Sequence, residues 1–315
     1  MTFSMILVTG ATSSPGRLVV PALLGKGHAV RVLVRGEADA AMFAAKGAEV
    51  VRGDIRDLDV VASACRGVTT VISMIGRHFA ETAEGLWAVD AQGNEALVAA
   101  ASAAGVGRFV LLSALFADRD YPPVLLGAKR RAEAAVVASK MTYAIVRPST
   151  FVLGPSSLVG AVGPTIERWG IAVLPATRPV SFVALVDVAD ALVAAALDTH
   201  PARVVDLGGP EALTMDEGAR RVAAVLGKRV RIVRIPRKGV SLMRRMSESR
   251  FGRFELMLFT EMMCDHGYAC DPAPARELLG REPTPVDTEL RDYYATTTRT
   301  PWSESNVGVL RNRAR

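Results

Sequence analysis

The stretch "SMILVTGATSSPGRLVVPALLGKGHAVRVLVR", residues 4–35, constrains the fold more than any other part of the chain. An apolar run through Val8 reads as a buried strand, and Gly10 to Ser14 read as a turn. Pro15 stands at a first helical position, and Gly27 lies just past a helix end. A second apolar run then closes at Arg35. Strand, glycine turn, helix, strand is a βαβ unit, so the chain is committed at its start to parallel strands with a crossover helix.

The alternation continues. "AEVVRGD", "VTTVISMIG", "RFVLLSA" and "TYAIVRPST" read as strands, while "LDVVASACRG", "LWAVDAQGNEALVAAASAAG" and "AEAAVVAS" read as helices. Half the residues are hydrophobic and only 6% aromatic, a balance that suits a parallel sheet buried under helices. The expected fold class is α/β, a Rossmann-type doubly wound parallel sheet with a smaller C-terminal substrate-binding region. Past residue 150, Gly and Pro at 154, 155, 160, 163 and 164 predict a loop-rich segment. "ALVDVADALVAAALDTH" predicts a returning helix and "RVVDLGG" a further strand. Thr214 and Glu217 have capping-box spacing ahead of "GARRVAAVLGK", and "HGYACDPAPARELLGREP" carries a short helix. The expected domains are therefore 1–150 for a dinucleotide, with a return segment near 181–208, and 151–180 with 209–300 for substrate. Within the latter, 240–264 is a candidate lid, and 301–315 reads as a tail.

No apolar run reaches the roughly 18 residues of a membrane span, and the chain enters a strand without a charged leader, so the expected address is cytoplasmic. Cys65, Cys264 and Cys270 form no CxxC pair, and neither a disulfide framework nor a metal site is expected. The net charge of +6 is concentrated: residues 228–253 hold ten Lys or Arg against Glu248 alone. Without aromatic platforms or a recognised motif beside it, this stretch predicts a solvated basic face rather than a nucleic-acid groove.

The first turn suggests a ligand. Gly10 and Gly16 let backbone approach a pyrophosphate, and the helix that follows offers unpaired N–H groups and the positive end of its dipole. Ser13 stands where the fingerprint wants a third glycine, and its hydroxyl is able to donate to a phosphate. Where an acidic residue would read the ribose hydroxyls of NAD, the chain has Arg35, whose guanidinium suits a 2′-phosphate. NADP(H) is expected over NAD(H), with Glu37 nearby as the competing charge. Asp54, ending "VRGD", either meets the adenine amino group or caps a turn.

Taken in order, "VTGATSSPG", "VRVLVR", "VRGDIRD", "VISMIG", "VDAQGNEALVAAASAAGVGRFVLLSA" and "AIVRPST" resemble the landmarks of the atypical and extended short-chain dehydrogenase/reductases, including their NmrA-like branch. The resemblance covers about residues 5–150 and continues weakly through "VALVDVADAL" and "ARELLGREPTPVDTEL". It implies that Gly10, Thr12, Ser13, Ser14 and Gly16 hold the pyrophosphate, Arg35 the 2′-phosphate, and Asp54 with Ile55 the adenine. Met74, Ile75 and Gly76 would line the nicotinamide ribose, and Pro148, Ser149 and Thr150 the nicotinamide amide. It also implies a serine that orients the carbonyl, Ser113, and a lysine that binds the ribose, Lys129.

The family's tyrosine acid is absent: its position is Leu125. Hydride transfer to a ketone builds an alkoxide that must be protonated or stabilised. Tyr121, Lys129 acting through water, and His78 are the candidate acids; the substrate's own hydroxyl is a further source. The last route favours hydroxylated aromatic ketones or quinones. Met243, Met246, Met257, Met262 and Met263, with Phe251, Phe254 and Phe259, provide an adaptable apolar surface for such a ligand, or else pack in a core or dimer. The expected activity is NADPH-dependent ketone or quinone reduction, of an aromatic polyketide-like metabolite, by a monomer or homodimer with a small apolar or aromatic carbonyl substrate. A redox sensor without turnover and a sugar-nucleotide epimerase or dehydratase are the rivals.

Overall fold

In the computed structural model, residues 4–76, 82–154 and 157–296 are described. The first half alternates as its periodicity predicts: β1 (Met5–Thr9), α1 (Gly16–Gly25), β2 (Ala29–Val34), α2 (Glu37–Ala45), β3 (Glu49–Arg52), α3 (Leu58–Cys65) and β4 (Thr70–Ser73). Next come α4 (Ala83–Trp87), a π-helical turn (Ala88–Gly93), α5 (Asn94–Ala103), β5 (Arg108–Leu112), α6 (Val124–Ala138) and β6 (Thr142–Pro148). Then follow α7 (Leu158–Trp169), β7 (Ile171–Pro175), α8 (Leu185–Leu197), β8 (Ala202–Leu207), α9 (Met215–Val225) and β9 (Arg231–Ile235). The remaining helices are α10 (Arg237–Arg245), α11 (Phe251–Asp265), α12 (Ala273–Leu279) and α13 (Val286–Thr296).

Seven strands form the central sheet in the order β3-β2-β1-β4-β5-β6-β8. This extends by one strand the doubly wound order that places a ligand crevice where the winding reverses, beside β1 and β4. The parallel register sets Thr9 against Leu33 and Ser73, which carries the ends of β1, β2 and β4 to a common level. Strands buried on both faces need apolar side chains at every position, and Ile6, Leu7, Val8, Val71, Ile72, Phe109, Val110 and Leu111 are all buried. On one face Leu7, Val61, Leu97, Phe109, Leu111, Val136 and Ile145 share a core cluster. Truncating Phe109 to Ala would cost about 3–5 kcal/mol.

The chain divides into two compact units: one reaches Asp120 and adds Val124–Arg147 and Ala189–Val205, while the other holds Tyr121–Pro123, Pro148–Val188 and the chain from Asp206 onward. In the second unit, β7 and β9 pair in parallel as a separate two-stranded sheet. The Thr214–Glu217 capping box forms at the start of α9, with reciprocal bonds of 3.3 and 2.7 Å.

Some segments differ from their sequence reading. The loop-rich segment contains α7, because Ser157 caps the helix by accepting the Gly160 amide, and Gly170 ends it in the left-handed conformation. Its apolar face, Leu158, Val159, Val162 and Ile166, is buried, and that packing overrides the local preference of Gly160, Gly163 and Pro164. The single long helix read over residues 86–105 is instead broken by the π-helical turn, which carries Asp90 into the interior.

Candidate functional site

The glycine turn of the first unit is fixed by sterics. Gly10 lies at φ +72°, and a Cβ there would stand 2.5 Å from the Met74 carbonyl oxygen. A Cβ on Gly16 would stand 2.5 Å from the Gly10 oxygen. Only hydrogen fits at either place. Ser13 is used within the turn: its hydroxyl donates to the Gly10 carbonyl at 2.7 Å and accepts the Gly16 amide at 3.2 Å. In this arrangement the Ser13 proton closes the turn. What fits a pyrophosphate is the tight glycine cradle at the N-terminus of α1. Thr12 and Ser14 complete the loop, and the Thr12 carbonyl accepts the Arg17 guanidinium at 3.1 Å.

Arg35 follows β2, exposed and without an ion pair among the described residues. Its acidic neighbour Glu37 faces Arg52 at 3.3 Å. Asp54 is gripped by Arg56, whose side chain bonds both carboxylate oxygens at 2.8 and 2.9 Å and whose amide adds a third bond at 2.9 Å. These bonds, the side-chain ones foremost, hold its carboxyl down at about 2. The Arg56 amide bond is the turn cap expected of Asp54. Ile55 is buried, close to where a Cβ on Gly93 would lie.

Beyond β4, the Met74 amide donates to Thr9, and Met74, Ile75 and Gly76 pass beside the buried Lys129. The Lys129 ammonium donates to the Ile75 carbonyl at 3.0 Å and stands 3.0 Å from the Asp90 carboxylate. A Cβ on Gly76 would lie 2.8 Å from that carboxylate and 3.2 Å from the ammonium. The Asn94 amide donates to the Asp90 carbonyl at 2.8 Å and its oxygen accepts the Ser73 hydroxyl at 2.6 Å, so the widened turn is tied to β4. The structure thus gathers the glycine turn, Met74–Gly76 and Lys129 around the β1 and β4 ends.

Leu125, Lys129 and Glu133 succeed one another at four-residue intervals on α6, and all three are buried. Ser113, anchored through its amide to the Val146 carbonyl, donates its hydroxyl to Glu133 at 2.5 Å. Arg147 bonds both oxygens of Glu133 at 2.9 and 2.6 Å and reaches Asp118 at 2.9 Å. A carboxylate held this way is an acceptor, so the Ser113 proton points away from any ligand that meets its lone pairs. The loop just beyond Ser113 holds Phe116 at φ +63°, a conformation a bulky residue adopts only when its surroundings enforce it.

The other expected residues lie in the second unit. Tyr121 is in a loop with its ring 4.9 Å from that of His266. Pro148 ends β6; Ser149 donates its hydroxyl to the Tyr268 carbonyl at 2.8 Å, and the Thr150 carbonyl accepts the Val183 amide at 2.9 Å. His78 lies outside the described residues, as does the tail at 301–315. Among the described residues no group of three His, Cys, Asp or Glu side chains is placed to hold a metal, and no helix is long and apolar enough to cross a membrane. The sequence reading missed Asp90, Glu133, Arg147 and Arg17. Glu133 had a legible signal, four residues past Lys129 on the same helix face; Asp90 had none, because a π-helical turn is not written in apolar periodicity.

Residues 10–199 match the NAD(P)H-binding family, and the chain belongs to it. It is similar to a (4-alkanoyl-5-oxo-2,5-dihydrofuran-3-yl)methyl phosphate reductase of Streptomyces griseus, 35% identical over 72% of this chain and 76% of that one. It is also similar to a ceramide reductase of Caulobacter vibrioides, 32% identical over 75% of each. The photosystem II assembly factor Ycf39 of Synechocystis is 26% identical over 92% of this chain and 90% of its own length. Among solved structures, the Escherichia coli quinone oxidoreductase QOR2 complexed with NADPH shares the fold, with a TM-score of 0.77 and 22% identity over 91% of this chain and 98% of that one. The protein is an NAD(P)H-dependent oxidoreductase of the atypical short-chain dehydrogenase/reductase type, lacking the tyrosine of that class.

Proposed function

We propose that the protein reduces an apolar aromatic ketone or quinone with NADPH, and that the substrate, not a side chain, supplies the proton the carbonyl oxygen takes up. The observation that carries this reading is the commitment of Ser113 to Glu133 beside Leu125. On that helix face Leu125 has no proton to give, Ser113 gives its proton to a carboxylate, and the Lys129 ammonium is paired with Asp90. In the proposed reaction NADPH would supply hydride to the carbonyl carbon of a ketone, whose alkoxide would take a proton from a neighbouring phenol of the substrate and leave a phenolate that water reprotonates; with a quinone, hydride to the oxygen would give a hydroquinone monoanion that water protonates. Lys129 would bind the ribose and keep a positive charge near the reacting end. Ser113 would accept a hydrogen bond from a substrate hydroxyl. Arg35, with Glu37 diverted to Arg52, would favour the 2′-phosphate of NADPH. The named reductases among the relatives support turnover, and we infer a polyketide-like metabolite as the substrate class.

The assembly-factor relative favours one other reading, a dinucleotide-binding protein that acts on a partner without turnover. NADPH oxidation by the purified protein, measured across ketones and quinones with and without a hydroxyl beside the carbonyl, separates the two. Turnover is expected for quinones and hydroxylated ketones only. Equal rates on ketones lacking the hydroxyl would refute the substrate-supplied proton, and tight NADPH binding with no oxidation across the panel would favour the second reading.

A further inference from the structure

The basic stretch 228–253 is sorted by the fold into cations turned inward and cations left outward. On α10, Arg237 donates to Asp265 at 2.9 and 2.7 Å, to Glu261 at 2.9 Å and to Ser241 at 2.7 Å, and Arg244 donates to Glu261 at 3.1 Å. Together with the buried Val240, these bonds fix one side of α10 to α11. At about 3.6 residues per turn the opposite side of α10 carries Leu242, Met243 and Met246, with Lys238 and Arg245 along one edge. Leu242 is 58% and Met246 76% exposed, and Met243 between them is exposed as well, so the three form one patch. Lys238, Arg245, Arg250 and Arg253 are exposed and make no ion pair among the described residues.

We propose that this outer face of α10 docks on an anionic lipid bilayer. A preformed helix with aliphatic side chains at its centre and lysine and arginine at its edge matches the boundary of acyl chains and phosphate headgroups. Its attachment to α11 removes the coil-to-helix cost that a free nine-residue segment would meet. A second copy of the chain fits the face poorly, because a two-fold contact would oppose the same unpaired cations. Nucleic acid fits poorly as well, since Leu242, Met243 and Met246 offer no ring on which a base stacks. The surface belongs to the second unit and Lys129 to the first, and the inference holds whether or not the protein turns over.

The test is co-sedimentation of the full chain with vesicles of phosphatidylcholine alone and of phosphatidylcholine mixed with phosphatidylglycerol. Binding is expected on the mixed vesicles only, and is expected to fall when salt rises from about 0.1 M to about 1 M and screening shortens from ~10 to ~3 Å. Charge reversal in Lys238→Glu with Arg245→Glu should weaken binding at least about tenfold, and Leu242→Gln with Met246→Gln by about as much. All four positions are exposed, so unchanged thermal midpoints are expected in the variants. Equal binding to neutral vesicles, no binding to either, or binding unaffected by both double variants would overturn the proposal. So would a concentration-dependent dimer lost in the same variants without vesicle binding, or full competition by soluble glycerol phosphate.

Discussion

The glycine turn and the α6 face lie in the same unit and meet around Lys129, yet they are constrained in different ways. At the turn, backbone packs on backbone: the space left by Gly10 and Gly16 is filled by carbonyl oxygens, and no exchange of side chains nearby could make room for a Cβ. Along α6, side chain meets side chain: Lys129 answers Asp90, Glu133 answers Ser113 and Arg147, and Leu125 fills the place where other members of the class put their acid. A backbone constraint admits one residue type, whereas a side-chain network can be rebuilt as a whole around a different one. The turn therefore admits glycine alone at these two positions, while the α6 face holds Leu125 with a side-chain network arranged beside it.

The largest effect is expected where the rebuilt network is broken from one side. Lys129→Met leaves the Asp90 carboxylate buried without its ammonium partner and should destabilise the fold by about 3–5 kcal/mol, measured by urea unfolding. Adding Asp90→Asn to Lys129→Met should recover most of that loss. Equal stability of the single and double variants would reduce Lys129 to a ligand-binding residue and dissolve the contrast just drawn. Next in size is Gly10→Ala. The added methyl group meets the Met74 carbonyl and requires a left-handed L-residue, so NADPH affinity measured by nicotinamide fluorescence should fall about 100-fold through displacement of the cradle. Near wild-type affinity would mean that the turn is as adaptable as the helix face.

Those two sites also show what a sequence can and cannot disclose. The βαβ start, the parallel sheet and the capping box at Thr214 were legible because strand periodicity, glycine punctuation and cap spacing are local properties. The helix α7 was hidden by Gly160, Gly163 and Pro164, since its existence depends on burial of Leu158 and Ile166 by distant parts of the chain. The strand β9, "RIVRI", was absorbed into a reading of charge, because Arg231 and Arg234 stand among its apolar residues and Ile232, Val233 and Ile235 show no alternation of period two. At the site, the sequence placed Ser113 but could not assign it as donor or acceptor without Glu133 beside it. Hydrogen-bond direction is a property of pairs, and the pairs here are 20 and 14 residues apart.

The smallest effect is expected at the rim of the turn, where Arg35 combines features of both regions. It is placed by the backbone, one residue past β2, yet it acts through a side chain that is exposed to solvent and screened by it. A guanidinium that meets a 2′-phosphate in that setting forms a charge-assisted bond weakened by water, so Arg35→Ala should raise the dissociation constant for NADPH about tenfold. NADH has no group for it to meet, and its dissociation constant should stay unchanged. The ratio of the two is the informative quantity, because any general distortion of the cradle would weaken both cofactors together. A ratio unaffected by the substitution would transfer cofactor choice to Arg17, which already bridges the Thr12 carbonyl and the start of α2 through Asp39 at 3.7 Å. Discrimination would then belong to the turn itself, and the backbone-built half of the site would select its ligand as well as hold it.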